Sequence, residues 1–240
     1  MQGPNHLRVV LNQGTRTIAI IGAGFSGTAV AIQLLRQPPA DRVRIVLVDP
    51  RAEIGAGVAY ATRDYPYPLN VAAGQMSLDA GTPTDFLAYL ASQGIHAAAG
   101  DFLPRQVYGE YLRARFAAAR AAAPPRVTCV HHRASAMQLR RATNRSWDLW
   151  LDDGSALQAD DVVLAVGNPP PATPAALECI ASSERFIRDP WSIGAVSGEE
   201  LQSVLLVGSG LTMIDAALRL AAGSFIAPIH SRTDKVRDTP

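Results

Sequence analysis

Residues 17–21, Thr-Ile-Ala-Ile-Ile, form an unbroken apolar and β-branched run, the pattern of a parallel strand buried on both faces. A glycine turn follows at 22–27. Ala29, Ala31, Leu34 and Leu35 then predict a helix that runs to Arg36 and is ended by Pro38-Pro39. Residues 42–48, Arg-Val-Arg-Ile-Val-Leu-Val, predict a second buried strand. Further on, 127–130 and 147–151 read as strands, and Asp152-Asp153-Gly154 is a hairpin turn into 155–158; together they predict a three-stranded crossover piece. Residues 114–123 are an arginine-and-alanine helix, expected to be solvated and ended by Pro124-Pro125. Buried strands are expected again at 161–166 and 203–207, with an amphipathic helix over 212–222 and a last strand at 225–230, where Pro228 suits an edge position. Alternating strands and helices predict an α/β fold with a doubly wound parallel sheet.

Composition narrows the classes. The chain of 240 residues is 48% hydrophobic and 18% charged, enough apolar material for a packed core. A net charge of +1 gives no electrostatic footprint for nucleic acid or for an anionic membrane surface, so neither is expected as a partner. The uncharged stretch 17–35 is long enough for a membrane span, yet Gly22, Gly24, Ser26, Gly27, Thr28 and Gln33 within it favour strand, turn and helix. Cys129 and Cys179 stand far apart with no CxxC pair and no clustered histidines, which disfavours a disulfide scaffold, a dithiol motif and a metal site. The N-terminus lacks a secretory pattern, so cytoplasmic is the default.

The candidate chemistry lies in the turn. Gly22-Ala23-Gly24-Phe25-Ser26-Gly27 has the GxGxxG spacing: the first glycine allows the tight turn, the second a close approach of a pyrophosphate, the third close helix-to-strand packing. The helix N-terminus then faces the anion. The strand at 42–48 ends in Asp49, 22 positions after Gly27, where a carboxylate accepts hydrogen bonds from an adenosine ribose. Strand, glycines, helix, strand and acid in register predict a dinucleotide site; as a structural alternative, Asp49-Pro50 initiates a turn. His131 and His132 form an adjacent pair whose side chains point to opposite sides of a strand, with no carboxylate nearby in sequence, so catalysis by either is not expected.

The motif alone does not choose between FAD and NAD(P). The next segments do so by resemblance: Gly55-Ala-Gly57-Val-Ala-Tyr60, Leu69-Asn70-Val71, Met76-Ser77, Pro83 with 86–90, and Phe102-Leu-Pro-Arg105 with Tyr108, Gly109, Tyr111 and Leu112. These resemble the bacterial FAD/NAD(P)-binding proteins related to flavin-dependent monooxygenases, over nearly the whole chain. The resemblance implies FAD in the first nucleotide fold, on Gly22, Ala23, Gly24, Phe25, Ser26, Gly27 and Asp49, with Gly55, Gly57, Tyr60, Asn70 and Met76 near the flavin. Gly55 and Gly57 let backbone run close to a flat ring, and Asn70 and Gln75 offer polar groups to its edge; alternatively Asn70 caps a turn and Met76 fills core. Ala72 stands where the family pattern suggests proline, which leaves that loop less rigid.

Gly167, followed by Asn168 and three prolines, resembles the turn where such chains leave the FAD domain, and Asp189-Pro190-Trp191 resembles the turn ahead of a second nucleotide fold. The expected domains are an FAD-binding domain, 1–171, carrying a flavin-side insertion at 52–112, and an NAD(P)-binding domain, 172–240. Gly208-Ser209-Gly210 opens the second motif, although Met213 replaces its third small residue and should spread helix from strand. Ser231 and Arg232 stand 21 and 22 positions after Gly210, where NAD sites place an acid, and a guanidinium there suits the 2′-phosphate of NADPH. After Arg232 the pattern stops, so this fold reads as incomplete and the chain as a truncated, frame-shifted or fragmentary relative, expected to self-associate near its C-terminal edge. The implied activity is an NADPH-dependent flavin monooxygenase; the alternative is a non-catalytic FAD-binding remnant or a subunit needing a partner chain.

Overall fold

Parallel strands buried on both faces explain the two apolar runs near the N-terminus. The computed structural model describes residues 8–9, 14–63, 65–142, 145–191, 203–222 and 228–232. The chain divides into two units, Met1–Gly167 and Asn168–Pro240. In the first, the order is β1 (Arg8–Val9), β2 (Thr15–Ile21), α1 (Phe25–Arg36), β3 (Arg42–Val48), α2 (Asp85–Ser92), α3 (Arg105–Ala122), β4 (Val127–His132), β5 (Ala136–Arg141), β6 (Trp147–Leu151), β7 (Ala156–Ala159) and β8 (Asp161–Leu164).

The central sheet has the order β4-β3-β2-β8, and every pairing in it is parallel. Ile18 and Ile20 of β2 face one way, where they pack with Ala31, Ile32 and Leu35 of α1 and Phe116 and Ala119 of α3. Ala19 and Ile21 face the other way, against Leu149, Leu151, Leu157 and Ala159 of the antiparallel piece β5-β6-β7. One face of the sheet thus carries helices and the other carries strands. Burial of a single side chain such as Ile32 contributes roughly 1.5–3 kcal/mol, so both faces are needed to hold the sheet. The uncharged stretch 17–35 is β2, a turn and α1, and among the described residues no helix is long and apolar enough to cross a membrane.

Four expectations need correction. Residues 127–132 belong to the central sheet, parallel to β3, and the third strand of the crossover piece is instead β5, a largely exposed segment. The alanine-rich helix begins at Arg105 and buries Tyr108, Tyr111, Leu112, Phe116 and Ala119, so it is an amphipathic core helix and not a solvated one. The strand at 161–164 is the edge of the described sheet, with Leu164 66% exposed, because nothing pairs beyond it there. The strand expected at 203–207 is exposed on one face, as set out below.

A third cluster supports the segment between β3 and β4: Leu69, Phe86, Tyr89, Leu90, Tyr108, Tyr111 and Leu112 pack together around α2 and α3. Tyr111 locks it by donating to Asp85 Oδ2 at 2.7 Å while its oxygen accepts the Leu78 N–H at 3.0 Å. The loop at 72–76 is fixed without a proline, since Ala73 and Gly74 donate to Asp101 O and Ala99 O.

The second unit contains β9 (Val204–Val207), α4 (Leu211–Ala222) and β10 (Ile229–Arg232), with β9 and β10 parallel. Ala216 and Leu220 of α4 pack on Val204, Leu206 and Ile229. Leu205 and Val207 on the other face are 60% exposed, because α4 covers one side only. Met213 is half-buried and the helix still docks, so the bulky third position is accommodated. Pro228 immediately precedes β10, and residues 225–227 of the expected strand lie outside the described residues. Cys129 is buried in the first unit and Cys179 exposed in the second, both free.

Candidate functional site

The turn after β2 is built by three close backbone approaches. Gly22 has φ +100 and donates to Val48 O at 2.8 Å; a Cβ there would sit 2.2 Å from Ala165 O. Only glycine combines that φ with that clearance. A Cβ on Gly27 would meet Gly22 O at 1.9 Å, so the helix-to-strand approach expected of the third glycine is present. The second glycine backs onto another chain segment: Gly24 and Gly57 lie Cα against Cα, such that a Cβ on Gly57 would stand 3.2 Å from Gly24 Cα. Gly55 N–H donates to Ala23 O at 2.8 Å. The segment 55–57 therefore crosses the 22–27 turn directly, and the structure brings Gly22, Ala23, Gly24, Phe25, Ser26, Gly27, Asp49, Gly55 and Gly57 into one place.

The start of α1 is chemically open. Its N-cap is Gly24, no side chain caps it and no acid lies in its first turn, while Phe25 and Ser26 are exposed. Uncapped first-turn N–H groups carry the positive end of the helix dipole and suit an anion. Tyr60 contacts the Phe25 ring edge-on at 6.4 Å and Tyr108 at 4.9 Å, which ties the aromatic cluster to this end of the helix. Exposed Val58 and Phe25 leave apolar surface beside the crossing.

Asp49 is 3% exposed and its carboxylate accepts four hydrogen bonds. Oδ2 takes the Ala23 N–H at 2.8 Å and Arg51 Nη2 at 2.7 Å; Oδ1 takes the Arg51 N–H and Nε, each at 2.9 Å. Burial raises the pKa, but these hydrogen bonds, foremost those from Arg51, outweigh it and hold the carboxyl below its ordinary value. The bond to Arg51 N–H is the Asx turn offered by Asp49-Pro50, so the residue both turns the chain and presents a charge under Ala23. Arg51 went unnoticed in the sequence; its only signal is an arginine two positions after the acid.

The other expected site residues sort differently. Asn70 is exposed, and its Oδ1 accepts from Arg105 Nη2 at 3.0 Å, while Met76 packs against the aromatic cluster. Gly167 has φ +69 and closes the first unit. In the second unit the register sets Arg232 opposite Val207, so Ser231 and Arg232 lie at the same strand ends as Gly208, Ser209 and Gly210, where α4 begins.

The two histidines do point apart, yet each has a partner. His131 Nε2 bonds Asp49 O at 3.0 Å, and His132 Nε2 lies 2.7 Å from Asp153 Oδ2, a carboxylate that the β6–β7 hairpin brings back from 21 positions away. Ser155 Oγ contacts the same Nε2 at 3.4 Å and donates to Asp153 Oδ1 at 2.6 Å. Sharing one ring nitrogen, Asp and Ser do not form a nucleophilic relay, and the group is a strap between β4 and the hairpin. The Ser155 hydroxyl and then His132 pull the Asp153 carboxyl down to about 2. Because the folded value lies below the ordinary value of about 4, the strap's contribution is full above that and drains as pH falls toward 2. Asp153→Asn is expected to flatten the acid limb of stability in that window, measured by near-UV circular dichroism across an acid titration.

No curated protein matches the sequence. Among solved structures the chain is similar to an ornithine N-hydroxylase from Kutzneria sp. 744 (TM-score 0.62, 14% identity, 93% of this chain and 55% of that one). It is similar also to the bacillithiol disulfide reductase of Staphylococcus aureus (0.61, 14%, 95% and 60%) and to a cyclohexanone monooxygenase (0.59, 16%, 93% and 39%). The chain thus spans less than two thirds of the length of each, and the likeness is one of fold. The model of the FAD-NAD(P)-binding family matches residues 19–169, from within β2 past β8 and across the whole glycine crossing with Asp49, so the chain belongs to that family.

Proposed function

We propose that the chain is an FAD-dependent oxidoreductase of flavin-monooxygenase type that draws its electrons from NADPH. The observation that carries this reading is the crossing of segment 55–57 over the 22–27 turn, at a helix start that no side chain caps. Backbone N–H groups of Phe25, Ser26 and Gly27 would hold the FAD pyrophosphate, Asp49 the adenosine ribose, and Phe25, Val58 and Tyr60 offer apolar surface for the flavin. When bound, FAD supplies the redox and oxygen chemistry, so the chain needs to bind, orient and shield it and requires no nucleophile of its own. Gly208 to Gly210 with Arg232 would take NADPH, the arginine serving its 2′-phosphate. The Kutzneria hydroxylase structure carries reduced FAD and NADP+ together, which supports pairing both cofactors on this fold.

One observation favours a second reading. In the second unit Leu205 and Val207 are exposed on the strand face away from α4, and Leu211, Ile214 and Leu218 are exposed on α4, apolar surfaces of a kind that normally meet another chain or segment. On this reading the chain binds FAD but needs a second copy or a partner to complete the NADPH side. Purified protein is expected to show a flavin spectrum that bleaches under anaerobic NADPH, and more slowly under NADH. Retained flavin that neither nucleotide bleaches, in a chain that light scattering shows to self-associate, favours the second reading; absence of flavin binding overturns both.

A further inference from the structure

Asp49 is asked to recognise a ribose, yet all four of its acceptor positions are filled from within the chain. Two of the four donors are backbone N–H groups, of Ala23 and Arg51, which stay wherever the Arg51 side chain goes. The other two are Nε and Nη2 of that side chain, whose surface is 42% exposed while the carboxylate beneath is buried. A ribose diol also presents two hydroxyl donors. It can therefore replace the guanidinium bond for bond, and the carboxylate keeps four partners throughout.

The displaced guanidinium has somewhere to go. Its Nη1 takes no part in the Asp49 pair and lies 3.8 Å from where a Cβ on Gly57 would stand, and Gly57 is the residue seated against Gly24 at the start of α1. Arg51 is thus already beside the start of α1, where no side chain caps the first-turn N–H groups. The guanidinium begins half-exposed, and the move exchanges one anionic partner for another.

We infer that Arg51 is a partner-switching residue, which pairs with Asp49 across its ribose-facing edge and turns to the pyrophosphate when a dinucleotide enters. The inference rests on the proposed placement of FAD in this unit. It makes the site selective for nucleotides that bring phosphates: adenosine alone must displace Arg51 and offers it no new partner, whereas ADP or FAD offers both. Arg51 acts here as a specificity device, distinct from the carboxylate it covers.

The test uses the full chain loaded with FAD and reads the release of FAD fluorescence by adenosine and by ADP. The ratio of the two half-release concentrations does not depend on the affinity for FAD itself. Relief of the Asp49 pair favours adenosine and ADP alike, by about tenfold, and ADP alone loses two guanidinium–phosphate bonds of about tenfold each, so Arg51→Ala is expected to lower the adenosine-to-ADP ratio by about a hundredfold. Adenosine, corrected for the variant's own FAD affinity, should bind about tenfold more tightly than to the unaltered chain, and ADP about tenfold less tightly with a flatter dependence on salt. If Arg51→Ala does not fold, Arg51→Lys reads the same switch: a point charge still serves phosphate but cannot make the paired contact to Asp49, so adenosine gains and ADP is kept. Adenosine and ADP weakened together, or both unchanged, overturn the inference and make Arg51 a fixed brace of the Asp49 turn. Wild-type protein that binds no FAD in the first place overturns the dinucleotide reading itself, an outcome visible before any variant is made.

Discussion

Gly22→Ala is expected to be severely destabilising. A methyl group at this position would stand 2.2 Å from Ala165 O and 2.8 Å from Ala165 C, on backbone with φ +100. Neither atom can yield locally, since Ala165 N–H is bonded to Ile21 O at 2.8 Å and Gly22 N–H to Val48 O. Relief requires the chain beyond β8 to be pushed off β2, or the turn to be rebuilt. The backbone strain alone costs about 1–3 kcal/mol, and loss of the packed crossing brings the total to about 4–5 kcal/mol. That is from about a third to nearly all of the stability of a domain, which lies at about 5–15 kcal/mol. Gly154→Ala separates the two contributions, because Gly154 has φ +82 with nothing within 4 Å of a built Cβ. Thermal or urea unfolding of both variants should show a small loss at 154 and a much larger one at 22; equal losses would mean that the crossing at Ala165 is not tight.

What was legible in the sequence is what burial on both faces imposes. β2 and β3 were readable because the parts covered on each side, 18–21 and 45–48, are unbroken apolar runs, and Gly22 and Gly27 because the clearances they meet exclude every other residue. α3 carried its signal too: Tyr108, Tyr111, Leu112, Phe116 and Ala119 recur at helical spacing, but arginine and alanine between them masked the stripe. β5 carried almost none. Its side chains are mostly exposed, so it is a strand because β6 pairs with it and not because its own pattern demands it. Sheet membership was likewise silent: Val127 and Cys129 would be buried in either sheet, and only pairing with β3 decides where β4 belongs. The Asp49–Arg51 pair and the His132–Asp153 strap were hidden for the same reason, since each depends on a turn or hairpin bringing side chains together that the hydrophobic pattern does not register.

Gly24→Asp is expected to abolish FAD binding while leaving the fold intact or slightly more stable, two effects of opposite sign from one side chain. Unlike Gly22, Gly24 has φ −72 and ψ −160, backbone that any residue adopts, and its Cβ would lie at an ordinary 3.5 Å from Gly57 Cα. The position is the N-cap of α1, where aspartate is among the preferred residues and contributes about 0.5–2 kcal/mol by accepting first-turn N–H groups. Those are the groups a pyrophosphate needs. An aspartate there would satisfy them from within the chain and add a negative charge where the cofactor brings its own. Loss of two charge-assisted hydrogen bonds at about 1.5 kcal/mol each already lowers affinity by at least about a hundredfold, before the repulsion between like charges is counted. The measurement pairs a thermal melt with flavin fluorescence on the same preparation, and Gly24→Ala serves as the uncharged companion, expected to weaken FAD binding through its Cβ but far less than Gly24→Asp does. A folded Gly24→Asp protein that retains flavin as the unaltered chain does would remove the pyrophosphate from the start of α1, and with it the assignment of the 22–27 turn as the cofactor's anchor.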